Sequence, residues 1–137
     1  MAQTKVKSEL IDGGLGTDWQ STIQTSNFTA AAGKGYFVNT TSGSITVTLP
    51  AGVVGEEIIL QDYAGTFDTN SITVTANGSE KIQGETANKI VTSKNALVKL
   101  VYQDATRGWN SSNLTIASVI VNYLVIGGGG GGAGSGG

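Results

Sequence analysis

The chain has 137 residues and a formal charge of −2, and 13% of its residues are charged, about half the roughly 25% of an ordinary soluble domain. That length holds one modest core but not two ordinary domains. Cysteine and histidine are absent, which excludes disulfide frameworks, thiolate or imidazole metal sites, thiol nucleophiles and Ser-His-Asp machinery.

Further classes fall away with the patterning. Beyond Lys5 and Lys7 there is no basic block, so a phosphate-neutralising nucleic-acid surface is not expected. The start of the chain is polar and lacks the apolar stretch of a secretory signal. The most apolar segment, 114–126, is interrupted by Thr115, Ser118 and Asn122 and is shorter than the about 20 residues a membrane-crossing helix needs, so no membrane insertion is expected. Val, Ile and Thr fill more than a quarter of the chain. Branched side chains fit a pleated surface and lose rotamer freedom in helices, so the expected fold is all-β.

Residues 1–33 have no sustained period and read as an extended N-terminal arm or attachment segment. Gly13-Gly14-Leu15-Gly16 breaks any helical turn begun by Val6, Leu10 and Ile11. Trp19 stands alone in polar company. It reads either as an anchor that docks on a partner, since aromatic side chains carry a disproportionate share of interface energy, or as a plug at the edge of the domain.

Residues 34–113 carry a β rhythm. The segments 36–41 and 44–49 alternate about a Ser42-Gly43 link, which predicts a tight hairpin with Gly43 in positive φ. Pro50-Ala51-Gly52 ends the second of these. A third strand follows over 56–62, then a loop of turn formers from Tyr63 to Asn70. Residues 71–75 repeat the alternation of 44–48 nearly residue for residue, and Asn77-Gly78 marks a turn. Short strands over 81–83 and 89–91 lead to a long one over 96–102, apolar on both faces apart from Lys99. A strand from Trp109 closes the sheet. Short strands separated by frequent turns predict a small β-sandwich or flattened barrel.

Residues 114–137 form a third region. Leu114, Ile116, Ile120, Leu124 and Ile126 share one alternating face, and Ala117, Val119, Val121, Tyr123 and Val125 the other. A strand apolar on both sides must be covered on both, and near the end of a small domain the cover at hand is another copy of the chain. These residues are candidate interface positions. The run into polyglycine from Gly127 reads as the onset of a Gly-rich region, with the 137 residues expected to be the front of a longer chain.

No catalytic, cofactor or metal site is expected. Asp62, Asp68 and Asn70 share a loop, but their spacing matches no calcium-ligand loop and such residues are ordinary turn formers. Glu56 and Glu57 are adjacent on a strand, point to opposite faces and cannot act as an acid/base pair. No glycine precedes Gly33-Lys34 at phosphate-loop spacing. Tyr63, Phe67 and Trp109 are candidate glycan contacts, the aromatic alternative being core and hairpin plugs.

The stretch Gly35-Tyr36-Phe37-Val38-Asn39-Thr40-Thr41-Ser42-Gly43-Ser44-Ile45-Thr46-Val47-Thr48-Leu49-Pro50 resembles a module of virion appendage proteins of tailed bacteriophages, above all tail fibres. Gln61-Asp62-Tyr63-Ala64-Gly65-Thr66-Phe67, Ile72-Thr73-Val74, Leu100-Val101-Tyr102 and Gly108-Trp109 continue the likeness. Tyr123-Leu124-Val125-Ile126 before polyglycine is similar to the onset of Gly-rich distal regions in such fibres. The resemblance implies a β-rich, intertwined homotrimer in the virion tail. Its N-terminal arm would face other tail proteins, and its distal region a host-surface glycan or receptor. A capsid decoration or neck-fibre protein is the structural alternative, and a carbohydrate-binding module the other.

Overall fold

The computed structural model describes residues 16–111 and 114, and the strand course of 115–116. The described residues are all-β. The strands are β1 (Asp18–Trp19), β2 (Phe28–Thr29), β3 (Lys34–Val38), β4 (Ile45–Thr48), β5 (Glu57–Asp62), β6 (Ile72–Thr75), β7 (Lys89–Val91), β8 (Leu97–Asp104), β9 (Gly108–Asn110) and β10 (Thr115–Ile116). They form two mixed five-stranded sheets, the first in the order β1-β3-β5-β8-β9 and the second β10-β7-β6-β4-β2.

The connectivity follows a simple rule. β1, β3 and β5 lie side by side and parallel in the first sheet, while β2, β4 and β6 do the same in the second. Each consecutive pair is therefore an arch that crosses from one sheet to the other, and three arches stack. The repeated Ile-Thr-Val-Thr segments sit in register, Ile45 on Ile72 and Val47 on Val74 inward, Thr46 on Thr73 and Thr48 on Thr75 outward. β7 and β8 then pair antiparallel with β6 and β5 and close one end of the stack.

Alternation supplies the core. Val38, Ile45, Val47, Ile58, Leu60, Ile72, Val74, Val98 and Leu100 are buried between the sheets with Phe67 and Trp109. Each such side chain contributes about 1.5–3 kcal/mol on leaving water. Two close approaches tighten the packing. The Tyr102 ring lies over Gly52, where a Cβ would stand 2.1 Å from it. Gly108, at φ +73, passes so close to the Lys81 carbonyl that no side chain fits.

Polar side chains tie arch to arch. The Asn27 Oδ1 accepts from Thr46 N at 2.7 Å, beside a backbone bridge between Gln24 and Val38. Thr40 Oγ1 meets Thr66 Oγ1 at 2.7 Å, and Asn70 Nδ2 donates to the Thr40 carbonyl at 2.9 Å.

Two expectations are corrected. The strands flanking Ser42-Gly43 do not form a hairpin: β3 and β4 belong to different sheets. Each finds its partners in the neighbouring arches, and the intervening residues span the about 10 Å between packed sheets. Residues 18–29 are no detached arm, because β1 and β2 pair with β3 and β4 and Ala30 is buried. The long strand keeps the apolar character expected of both its faces, burying Val98, Leu100 and Tyr102 and turning Leu97, Lys99 and Val101 outward.

Candidate functional site

Among the described residues, the outward faces of the two sheets differ in chemistry. On the second sheet the register aligns Thr29, Thr48 and Thr75 in one row and Thr46 and Thr73 in the next. This face is a lattice of hydroxyls. On the first sheet the outward positions are Gly35 and Phe37 on β3, Ile59 and Gln61 on β5, and Leu97, Lys99 and Val101 on β8. Trp19 lies across them from the edge strand.

Gly35 creates the seat for that indole. A Cβ on Gly35 would stand 2.7 Å from Trp19 Cδ2 and Cε3, so only glycine lets the ring lie flat on the backbone. The ring then stacks on Phe37, with centroids 4.8 Å apart and planes 19° from parallel. Trp19 still keeps 39% of its surface exposed. The same edge strand is held by an ion pair, Lys34 Nζ to Asp18 Oδ2 at 2.9 Å. The hydrogen bond and charge of Lys34 hold the Asp18 carboxyl below the usual carboxylate range, and Asp18 raises Lys34 in return.

Trp19 covers the edge of the first sheet and leaves one face of its ring exposed. Leu114 is buried in the core rather than offered outward. Ile116 continues β10 beside β7, pairing with Lys89. Ile120, Leu124 and Ile126 lie outside the described residues. The proposed glycan contacts are corrected: Phe67 and Trp109 are 0% exposed, whereas Tyr63 is 55% exposed. Phe67 plugs the core beneath its loop, and Trp109 packs edge-on against Tyr102 at 5.4 Å. Two of the three rings therefore present no face to a sugar.

The burial of two ionisable groups escaped the sequence reading. Asp62 is 3% exposed, and its carboxylate accepts from the backbone N–H groups of Gly65, Thr66, Phe67 and Asn95 at 2.9–3.1 Å. It shapes the third arch and fastens it to the loop before β8. An aspartate at a strand end followed by a run of turn formers is the signal that could have revealed it. Lys89 is 1% exposed on the inward side of β7, and its ammonium donates to Glu85. No grouping of candidate metal ligands occurs among the described residues.

Comparison with known proteins bears on this arrangement. Over 77 residues, 54% of this chain, the sequence is 32% identical to the baseplate wedge protein gp10 of Enterobacteria phage T4. That stretch is 13% of the T4 protein, so the chain spans a small part of its relative's length. The family model "Bacteriophage T4 gp9/10-like protein, N-terminal" matches residues 12–124, which takes in both sheets and all three arches. The chain therefore belongs to the bacteriophage T4 gp9/10-like family, through that family's N-terminal region.

Proposed function

We propose that the chain is a structural component of a phage tail, serving as the attachment and shaft region of a tail fibre. The observation that carries this reading is the family match over 12–124, with a baseplate wedge protein among the relatives. The fold supports a mechanical role. In-register arches, capped at one end and cross-tied by side-chain hydrogen bonds, make a stiff unit whose strands resist independent opening. The internal carboxylate and ammonium are committed to backbone amides and to Glu85, which supports a scaffold over an enzyme.

In this reading the chain self-associates as a homotrimer and contacts other tail proteins through its N-terminal side. Its distal region supports recognition of a host-surface glycan or receptor. Several weak distal contacts then hold together through effective concentration. Immunogold electron microscopy of virions, with antibody raised against residues 16–111, tests the placement. Gold on tail fibres is the expected result, and gold on the capsid or neck would overturn it.

A further inference from the structure

Asn77-Gly78 is the one asparagine–glycine pair in the sequence, and the fold sets both residues, exposed, in the turn that follows β6. The Asn77 carbonyl accepts from Glu80 N at 3.0 Å, and Gly78 takes φ +57 at the first corner of that turn. Glycine reaches this φ without strain, which is why the pair suits a tight turn.

The reactive groups of the pair are unoccupied. Neither the Asn77 carboxamide nor the Gly78 N–H has a hydrogen-bond partner among the described residues. A Cβ built on Gly78 meets no atom within 4 Å, so nothing blocks an approach to its nitrogen. Other asparagines are held. Oδ1 of Asn27 and of Asn39 accepts from the backbone N–H of Thr46 and Thr41, and Asn70 Nδ2 donates to the Thr40 carbonyl. Asn88 is exposed as well, but the next residue is Lys89, whose side chain crowds the backbone nitrogen that would have to react.

A carboxamide carbon and the backbone nitrogen of the following residue can close a five-membered ring. With its proton lost to hydroxide, Gly78 N attacks Asn77 Cγ. The new C–N bond forms, and the side-chain nitrogen leaves as ammonia with a proton from water. Water then opens the succinimide. Attack at Cγ gives aspartate, whereas attack at the former main-chain carbonyl gives isoaspartate, whose backbone runs through Cβ and Cγ. Water is the only co-reactant, one amide nitrogen is exchanged for one oxygen, and the chain gains a negative charge.

The position of the turn gives this exchange a structural consequence. The Glu80 carboxylate accepts from Gly52 N at 3.1 and 3.3 Å, which ties the turn to the loop between β4 and β5. Isoaspartate takes the acceptor of Glu80 N out of the main chain and sets a second carboxylate near Glu80, and like charges repel.

We propose that Asn77 is a self-modifying site, converted to isoaspartate and aspartate with Gly78 N as the nucleophile, and that the conversion releases the hold of Glu80 on Gly52.

The test ages the purified full-length chain in mildly alkaline buffer made with heavy-oxygen water. Acidic digestion and peptide mapping by mass spectrometry follow, and an isoaspartyl methyltransferase tells isoaspartate from aspartate. Label should enter at Asn77 at least about tenfold faster than at Asn88, where a residue with a side chain follows. Mapping by peptide keeps Asp12-Gly13 apart, a pair that isomerises through the same ring without losing ammonia. Equal rates at Asn77 and Asn88 overturn the site, as does conversion confined to the chain unfolded in urea. Gly78→Ala, with the far-ultraviolet circular dichroism unchanged, should slow conversion about tenfold; an undiminished rate overturns Gly78 N as the nucleophile. Hydrogen exchange then compares aged and fresh protein. The Gly52 N–H should exchange at least about fivefold faster after conversion, as a local opening made easier, and unchanged exchange overturns the release of the loop.

Discussion

Trp19 lies flat on Phe37, with ring centroids 4.8 Å apart, and it does so because the residue beneath the indole is Gly35. The edge strand is thereby fastened through a ring whose outer side still meets solvent. Gly35→Ala tests this dependence. The new Cβ would stand 2.7 Å from the indole, so the ring must lift away from Phe37. Acrylamide quenching of Trp19 should rise while buried Trp109 stays protected, with a stability loss of about 1–3 kcal/mol. Unchanged quenching would contradict the stacking as the cause of the strand's placement.

Asp62 joins two loops through one carboxylate. Asp62→Ala leaves four backbone amides without their acceptor and should cost about 3–5 kcal/mol in urea unfolding, each stranded buried donor being expensive. Asp62→Asn keeps one acceptor oxygen and should cost about 1–3 kcal/mol. Equal losses in the two variants would show that the oxygen kept by Asn is worth nothing here, and that the full carboxylate is required.

The Lys89–Glu85 pair predicts an asymmetry between its two halves. Glu85→Ala leaves a buried ammonium without its carboxylate. Because Glu85 is itself 50% exposed and water can take part of its place, the loss should be about 1–2 kcal/mol rather than the 3–5 of a fully enclosed pair. Lys89→Met removes the charge along with its need for a partner and should change stability by less than about 1 kcal/mol. Thermal unfolding of both variants checks the order; a larger loss for Lys89→Met would reverse the account.

Asp18 and Lys34 make the stability of the edge strand depend on pH at both extremes. Asp18 titrates below its unfolded value, so the contribution of the pair is present at neutral pH and disappears as pH falls through that lowered range. Lys34 titrates above its unfolded value, so the contribution also disappears as pH climbs through the raised lysine range. Both groups are exposed, and the effect is small. The difference in melting temperature between wild type and Asp18→Asn should be greatest near neutrality and vanish at either extreme. A difference that persists in strong acid would assign it to something other than charge.

The alternation of Ile45-Thr46-Val47-Thr48, repeated at Ile72-Thr73-Val74-Thr75, was enough to read the all-β class and the inward and outward residues of those strands. Period two depends only on the geometry of an extended backbone. The poverty in charge and the lack of histidine and cysteine were equally legible, since they are properties of composition. Pairing was not legible. Ser42-Gly43 has the local chemistry of a hairpin, yet β3 and β4 part company because parallel neighbours on either side bury their apolar faces more completely than each other could. The same holds for Trp19, whose seat is a glycine sixteen positions away, and for Asp62, whose fourth amide comes from Asn95. Contacts between residues distant along the chain are chosen by the competition of whole packings, and no local pattern carries that energy.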